Sequence, residues 1–194
     1  MNVLCIGDVV GDIGLDFLAR HLPALKREYQ IDLCIVNGEN SDKSGTGLTR
    51  HGAELMRNIG ADVVTSGNHC YRRTDPSFFS ETDYVLCPAN QPFQEPLCGM
   101  YEVDMGRYSA CVINLAGVSF LEPLDSPFAR LDELLAQTSA RFVIVDFHAE
   151  STAEKAAFAY YADGRISAVF GTHTHVPTAD AQVLPAGTGF ITDV

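Results

Sequence analysis

The sequence predicts an α/β protein built on a largely parallel β-sheet. Short apolar runs rich in β-branched residues alternate with segments of helical period, the pattern of strand-to-helix units. The composition agrees: 194 residues, 46% of them apolar, with 16 glycines and 9 prolines, suit one globular domain with a sizeable core rather than a disordered or collagenous chain.

The first strand is expected at Val3–Ile6, and a helix over about Leu15–Tyr29 follows, interrupted and kinked by Pro23. A strand at Leu33–Val36, a helix at Thr49–Ile59 and a strand at Ala61–Thr65 come next. The stretch from Asp75 to Pro96, punctuated by Pro88, Pro92 and Pro96, reads as an irregular excursion. Ala110–Leu115 is a strand, and the helix Pro127–Thr138 opens with an N-cap serine, Ser126, before a proline at the first helical position. A further strand at Phe142–Phe147 leads to a helix at Thr152–Tyr161, which Ser151 and Glu154 open as a capping box. The last parallel strand is expected at Ile166–Phe170. Beyond the turn-like Pro185–Gly189, residues Phe190–Val194 have strand character, and the chain stops inside them. The expectation is therefore a single domain over residues 1–194 that lacks its C-terminal end and carries an unprotected strand edge there. The sequence has no internal repeat, low-complexity tract or interdomain linker.

Thirteen Lys+Arg against 25 Asp+Glu give a formal charge of −12. General nucleic-acid and membrane-surface binding need a basic excess and are excluded on that ground. No apolar run approaches the roughly 18 residues that span a bilayer, and Met1-Asn2-Val3 is not the basic start of a signal peptide, so a cytoplasmic location is expected. The six cysteines form no CxxC pair, and Cys5, Cys34 and Cys111 lie inside strand-like runs. They read as reduced thiols rather than a disulfide framework or zinc knuckle.

The informative pattern is where polar residues fall relative to strands. Asp8 follows the first strand, Glu39 and Asn40 the second, Asn68 and His69 the third, His148 the strand at Phe142–Phe147, and His173 and His175 the last. In open α/β sheets the carboxyl ends of strands share one edge, where ligands bind. Asp8, Glu39, Asn40, Asn68, His148, His173 and His175 make a mixed oxygen and nitrogen set. It is too rich for one tetrahedral zinc and suits two divalent ions about 3.5–4 Å apart.

Each piece alone has a plainer explanation. Asp8 could cap a helix, Asn37-Gly38-Glu39-Asn40 is an ordinary turn sequence, and His69 or His148 could be a hydrogen-bonded core histidine. The glycines around Gly7 and Gly11 do not form GxGxxG, which weakens a dinucleotide-binding reading. Gly171-Thr172-His173-Thr174-His175 is harder to dismiss, because histidines at i and i+2 in extended chain face one side and address one centre.

The ordered combination of Gly7-Asp8-Val9-Val10-Gly11, Asn37-Gly38-Glu39-Asn40, Gly67-Asn68-His69, Asp146-Phe147-His148-Ala149-Glu150 and Gly171-Thr172-His173-Thr174-His175-Val176 resembles the calcineurin-like metallophosphoesterases. It is most similar to their YmdB-like branch, from residue 1 to the end of the chain. The resemblance implies two mixed β-sheets packed face to face with helices outside, and a site at the strand ends. It implies that Asp8, Glu39, Asn40 and His175 hold one metal and Glu39, Asn68, His148 and His173 the other, with Glu39 bridging. Iron or manganese is the leading expectation, and zinc is also compatible with the shell. The implied reaction is phosphodiester hydrolysis of a small molecule, with 2′,3′-cyclic nucleotides favoured, by in-line attack of a hydroxide held between the ions. His69, next to a ligand but not assigned to a metal, is the expected catalytic residue, protonating the leaving oxygen or stabilising its charge.

The sequence departs from the family in two places. Val10 stands where the superfamily has a histidine, and Asn40 substitutes for it, as in the YmdB-like branch. Cys70-Tyr71-Arg72-Arg73 stands where the branch more often has an aromatic and an acidic residue. Arg72 and Arg73 are candidate contacts for substrate phosphate, with a solvated basic pair as the plainer alternative, and Cys70 is either a small buried residue or an oxidation-sensitive thiol. A phosphomonoesterase (nucleotidase or protein phosphatase) on the same centre is the rival activity, and a non-catalytic metal-containing regulatory protein the rival class. The sequence is also compatible with a homo-oligomer.

Overall fold

A computed structural model describes residues 1–74, 76–92, 99–122 and 124–194 of the chain. Its elements run β1 (Val3–Ile6), α1 (Gly11–Glu28), β2 (Leu33–Asn37), α2 (Arg50–Ile59), β3 (Val63–Thr65), α3 (Pro76–Glu81), β4 (Met100–Asp104), β5 (Ser109–Ala116), α4 (Pro127–Leu135), β6 (Phe142–His148), α5 (Thr152–Ala162), β7 (Ala168–Thr172), β8 (Gln182–Val183) and β9 (Gly189–Ile191). Strands β1-β2-β3 form a parallel three-stranded sheet, and β4-β5-β6-β7-β9-β8 a six-stranded one, antiparallel at β4 and β8 and parallel between.

The inner parallel strands read as continuous apolar runs because both of their faces are covered. In β2, Leu33 and Ile35 point between the sheets, where they meet Val112, Ile144 and Phe170 of the larger sheet. Cys34 and Val36 point the other way, against Leu15, Leu18 and Leu22 of α1 and Met56 of α2. On the far side, Cys111, Ile113, Val145 and Phe147 pack against Leu131 and Leu134 of α4 and Phe158 of α5, with Phe147 and Phe158 stacked at 4.2 Å. The result is four layers, helices outside two facing sheets, as the resemblance implies, although only the larger sheet is mixed and the small one is parallel throughout.

Several sequence expectations are adjusted. Helix α1 begins at Gly11 rather than Leu15 and is continuous across Pro23. The proline is accommodated inside an 18-residue amphipathic helix whose buried stripe of Leu15, Leu18 and Leu22 holds it to the sheet. Helix α4 ends at Leu135, short of Thr138. The α5 capping box is half formed: Ser151 accepts from the Glu154 N–H at 3.3 Å, but the Glu154 carboxylate turns away to accept from the N–H groups of Val118 (2.9 Å) and Ser119 (3.1 Å). Within the supposed irregular excursion, Pro76–Glu81 is helical and Phe78 and Phe79 are buried, while Asp75 and Pro96 lie outside the described residues. The terminal strand is not an edge either, since β9 lies between β7 and β8.

The inter-sheet face changes character at one end. Following each strand with period two from its apolar inward residues reaches Asn37 on β2, Thr65 on β3, Asn114 on β5, Asp146 and His148 on β6, and Thr172 on β7, all fully buried. The apolar core thus ends in a polar layer at the carboxyl ends of the parallel strands.

Candidate metal centre

Above that layer the loops leaving β1, β2, β3 and β7 converge with the last residue of β6. Asp8 does not cap α1, whose N-cap is Val10 with no side-chain cap. Instead its Oδ2 accepts from the His173 backbone N–H at 3.0 Å and its Oδ1 from the Asn40 amide at 3.3 Å. His175 Nε2 lies 3.5 Å from the same Asp8 Oδ1 and 3.2 Å from Asn40 Nδ2. Glu39, 1% exposed, takes the His69 N–H on Oε2 at 3.1 Å and faces His148 Nε2 with Oε1 at 3.1 Å. Around His148 Nε2 also stand Asn68 Oδ1 at 3.1 Å and His173 Nδ1 at 3.0 Å. All the residues singled out in sequence as metal ligands, and His69, therefore belong to one connected cluster.

The two histidines of the last motif reach it differently from the extended geometry expected. His173 and His175 have φ of 102° and 58°, left-handed values uncommon outside glycine. The backbone coils past the end of β7, sending His173 to His148 and Glu39 and His175 to Asp8 and Asn40. A straight strand would have aimed both rings the same way. Gly67 is set by the same crowding: a Cβ there would lie 2.2 Å from His148 Nε2 and 2.3 Å from Glu39 Oε2.

Charge follows from these contacts. Burial alone would raise the Glu39 pKa, but the His148 ring, its hydrogen bond and the His69 N–H more than offset it and hold the carboxyl at about 2. For His148, burial disfavours the charged ring, yet the Glu39 carboxylate outweighs it and raises the pKa. Burial lowers the pKa of His173, and the neighbouring His148 adds to the effect. His173 therefore favours the neutral ring; its Nε2, 3.0 Å from Glu150 Oε2, donates outward and leaves the Nδ1 lone pair facing inward. Burial also holds His69 below the ordinary histidine value, against the pull of Glu39 and with the help of Arg72. Burial pushes Asp146 up to about 6 despite the donors around it.

The cluster is rich in acceptors and poor in protons. Glu39, His148 and His173 each offer an atom within 4.8 Å of the others. Asn40 turns its NH₂ toward Asp8, Glu39 and His175 and its oxygen toward His69 Nδ1 at 3.0 Å, so acting as an oxygen ligand would require the half-turn that exchanges them.

Arg72 and Arg73 are not in the cluster. With Ser44 and Thr46 they border a small polar recess, and Arg73 is engaged there by Asp42 at 3.8 Å and Ser44 at 3.4 Å. Cys70 is buried beside Gln91, whose amide donates to its sulfur at 3.6 Å. Glu150, Thr172 and Asn37 also belong to the site, although the residues gave no reason to assign them roles. Their signal was position alone: a strand's last inward residue, or a carboxylate two residues past His148.

Comparisons with known proteins show the family and the fold. The family model described as YmdB-like protein matches residues 4–194. A 2′,3′-cyclic-nucleotide 2′-phosphodiesterase of Bacillus subtilis (strain 168) is 45% identical over 197 residues, covering 100% of this chain and 74% of that protein. The crystal structure of a hypothetical protein from Thermus thermophilus superposes with a TM-score of 0.92 at 44% identity, covering 100% of this chain and 76% of that one. A phosphatase structure from Mycoplasma pneumoniae gives 0.90 at 35%, covering 99% and 70%. No helix among the described residues is long and apolar enough to cross a membrane.

Proposed function

This chain belongs to the YmdB-like protein family, and from that premise we propose that it is a divalent-metal-dependent phosphodiesterase acting on 2′,3′-cyclic nucleotides. The observation that carries the reading is the convergence of Glu39 Oε1, Asn68 Oδ1 and His173 Nδ1 on His148 Nε2, each within 3.1 Å. Few protons are available among these lone pairs, and a buried set of this kind is otherwise costly. A cation satisfies it, so the residues fit the group. Asp8, Glu39, Asn40 and His175 would hold one divalent ion, and Glu39, Asn68, His148 and His173 the second, with Glu39 shared. Two such ions supply positive charge for an anionic substrate and Lewis acidity toward phosphoryl oxygen and water.

The chain's own groups do the rest. The rings of His148 and His173 are fixed from outside by Thr172 and Glu150, at 2.9 and 3.0 Å. His69, 20% exposed at the side chain, lies at the mouth, held by Asn40 and close to Glu39. With the Asn40 amide turned as oxygen ligation requires, its NH₂ would face His69 Nδ1 and the neutral ring would carry its hydrogen on Nε2, placed to give a proton or a hydrogen bond to the oxygen leaving phosphorus. Arg72, whose charge bears on His69, offers a contact for the phosphate or nucleotide.

The test is to strip the protein of metal, reload it with Mn²⁺ and compare kcat/KM for a 2′,3′-cyclic nucleotide and a nucleoside monophosphate. The cyclic diester should be preferred, with activity lost on chelation and restored by the ion. A faster monoester would replace this reading by a phosphomonoesterase, and activity indifferent to chelation would end the metal-dependent reading.

A further inference from the structure

We infer that Thr172 and Asp146, with Asn37, form a buried positioning device that keeps a proton on Nδ1 of His148 and so turns the Nε2 lone pair into the centre. The inference rests on the metal-centre reading above for its purpose, but not for its geometry. Asn37, Thr65, Asp146, His148 and Thr172 are all fully buried, so no bulk water completes their hydrogen bonds. The orientation of the Asn37 amide is fixed by the Glu39 backbone N–H, which donates to Asn37 Oδ1 at 3.1 Å. Its NH₂ therefore faces Asp146 Oδ2 at 3.0 Å and Thr172 Oγ1 at 3.3 Å. Thr65 also donates to Asp146 Oδ2, so the groups around that carboxylate are donors.

Thr172 has one hydroxyl hydrogen, and Asp146 Oδ1, 2.7 Å away, takes it. One Thr172 lone pair receives Asn37. The remaining lone pair lies 2.9 Å from His148 Nδ1 and can only accept. Nδ1 must therefore carry the proton, and the nitrogen left bare in the neutral ring is Nε2, the atom around which Glu39, Asn68 and His173 converge. The register supports the same geometry, since His148 and Thr172 are direct partners in the β6–β7 ladder. The device also joins the two sheets, because Asn37 and Thr65 come from the small sheet and Asp146 and Thr172 from the large one. The same amide that serves Thr172 anchors the turn carrying Glu39, so one network orients both side chains.

Thr172 is a positioning residue, and histidine-selective ¹⁵N NMR of the metal-free protein reads its effect directly. In the neutral ring of the wild type, His148 should show a protonated Nδ1 and a bare Nε2. Thr172→Val keeps the volume and removes the hydroxyl, and should abolish that preference; Thr172→Ser should restore it. In Mn²⁺ titrations, Thr172→Val should bind about 10–100-fold more weakly and Thr172→Ser much as the wild type. A wild-type neutral ring with its proton on Nε2 overturns the inference, as does a folded Thr172→Val protein that keeps the wild-type tautomer. If Thr172→Val does not fold, the wild-type spectrum and Thr172→Ser decide. A wild type that binds no Mn²⁺ yet shows the Nδ1 proton would overturn the metal reading and uphold the proton placement.

Discussion

Glu39 and His148 form an acid–imidazole contact in which the carboxyl is held at about 2 and the ring raised, each by the other. A cation entering this site competes with the proton on His148. Because the raised pKa keeps that proton to higher pH than an ordinary histidine, metal affinity should begin to fall above pH 6.5 as the solution is acidified. Mn²⁺ titrations between about pH 8 and 6 would show it, and an unchanged affinity across that range would contradict the cause given. On the proposed two-ion reading, Glu39→Gln should weaken both sites, whereas His148→Ala should weaken mainly one, which metal counting on each variant resolves. His69 makes a different prediction, since it lies at the rim and is not among the proposed ligands. General acid catalysis typically contributes about 10²–10⁴-fold, and less when the leaving group is already a stable anion. His69→Ala should keep its metal and lose most activity on a cyclic nucleotide, but much less on a nitrophenyl diester. Equal losses on both substrates, or loss of metal, would make His69 a positioning residue or a ligand.

Among the elements, the loop after β3 is tightly constrained by the cluster itself. Gly67→Ala would place a methyl group 2.2 to 2.3 Å from His148 Nε2 and Glu39 Oε2, within the cluster itself, so it should abolish metal binding while leaving the sheet strands and the thermal transition largely intact. Retained metal binding would show that the loop yields. The parallel strands were legible because burial on both faces leaves long apolar runs, as in Leu33–Val36 and Phe142–Phe147. Strand β4 was not: its Glu102 and Asp104 face solvent, so Met100–Asp104 has no apolar run to find. The early start of α1 was hidden by Gly11, Gly14 and the exposed Ile13, which break the helical period. At the site, metal-competent side chains just past strand ends were conspicuous in sequence. Thr172, Asn37 and Thr65 were not, because a polar residue at the end of a strand is ordinary until the facing sheet is in place. The left-handed turns at His173 and His175 carry no glycine to announce them.

For the whole molecule, the net charge sets a problem that the site must solve. At −12 the chain repels a phosphodiester anion at long range, while the proposed ions, with Arg72 and Arg73 as proposed substrate contacts, would attract it only at short range. The two fields differ in reach. Surface charge acts over many ångströms and is screened with a Debye length of about 8 Å at physiological ionic strength, whereas contacts inside the centre are much less exposed to salt. Raising the ionic strength from about 20 to 200 mM should therefore weaken the repulsion before it weakens the capture, so kcat/KM for a cyclic nucleotide should rise about twofold with kcat little changed. The measurement separates the two fields. A kcat/KM that falls with salt would mean that these cationic groups govern approach as well as binding, and Arg72→Ala or Arg73→Ala should then remove that dependence.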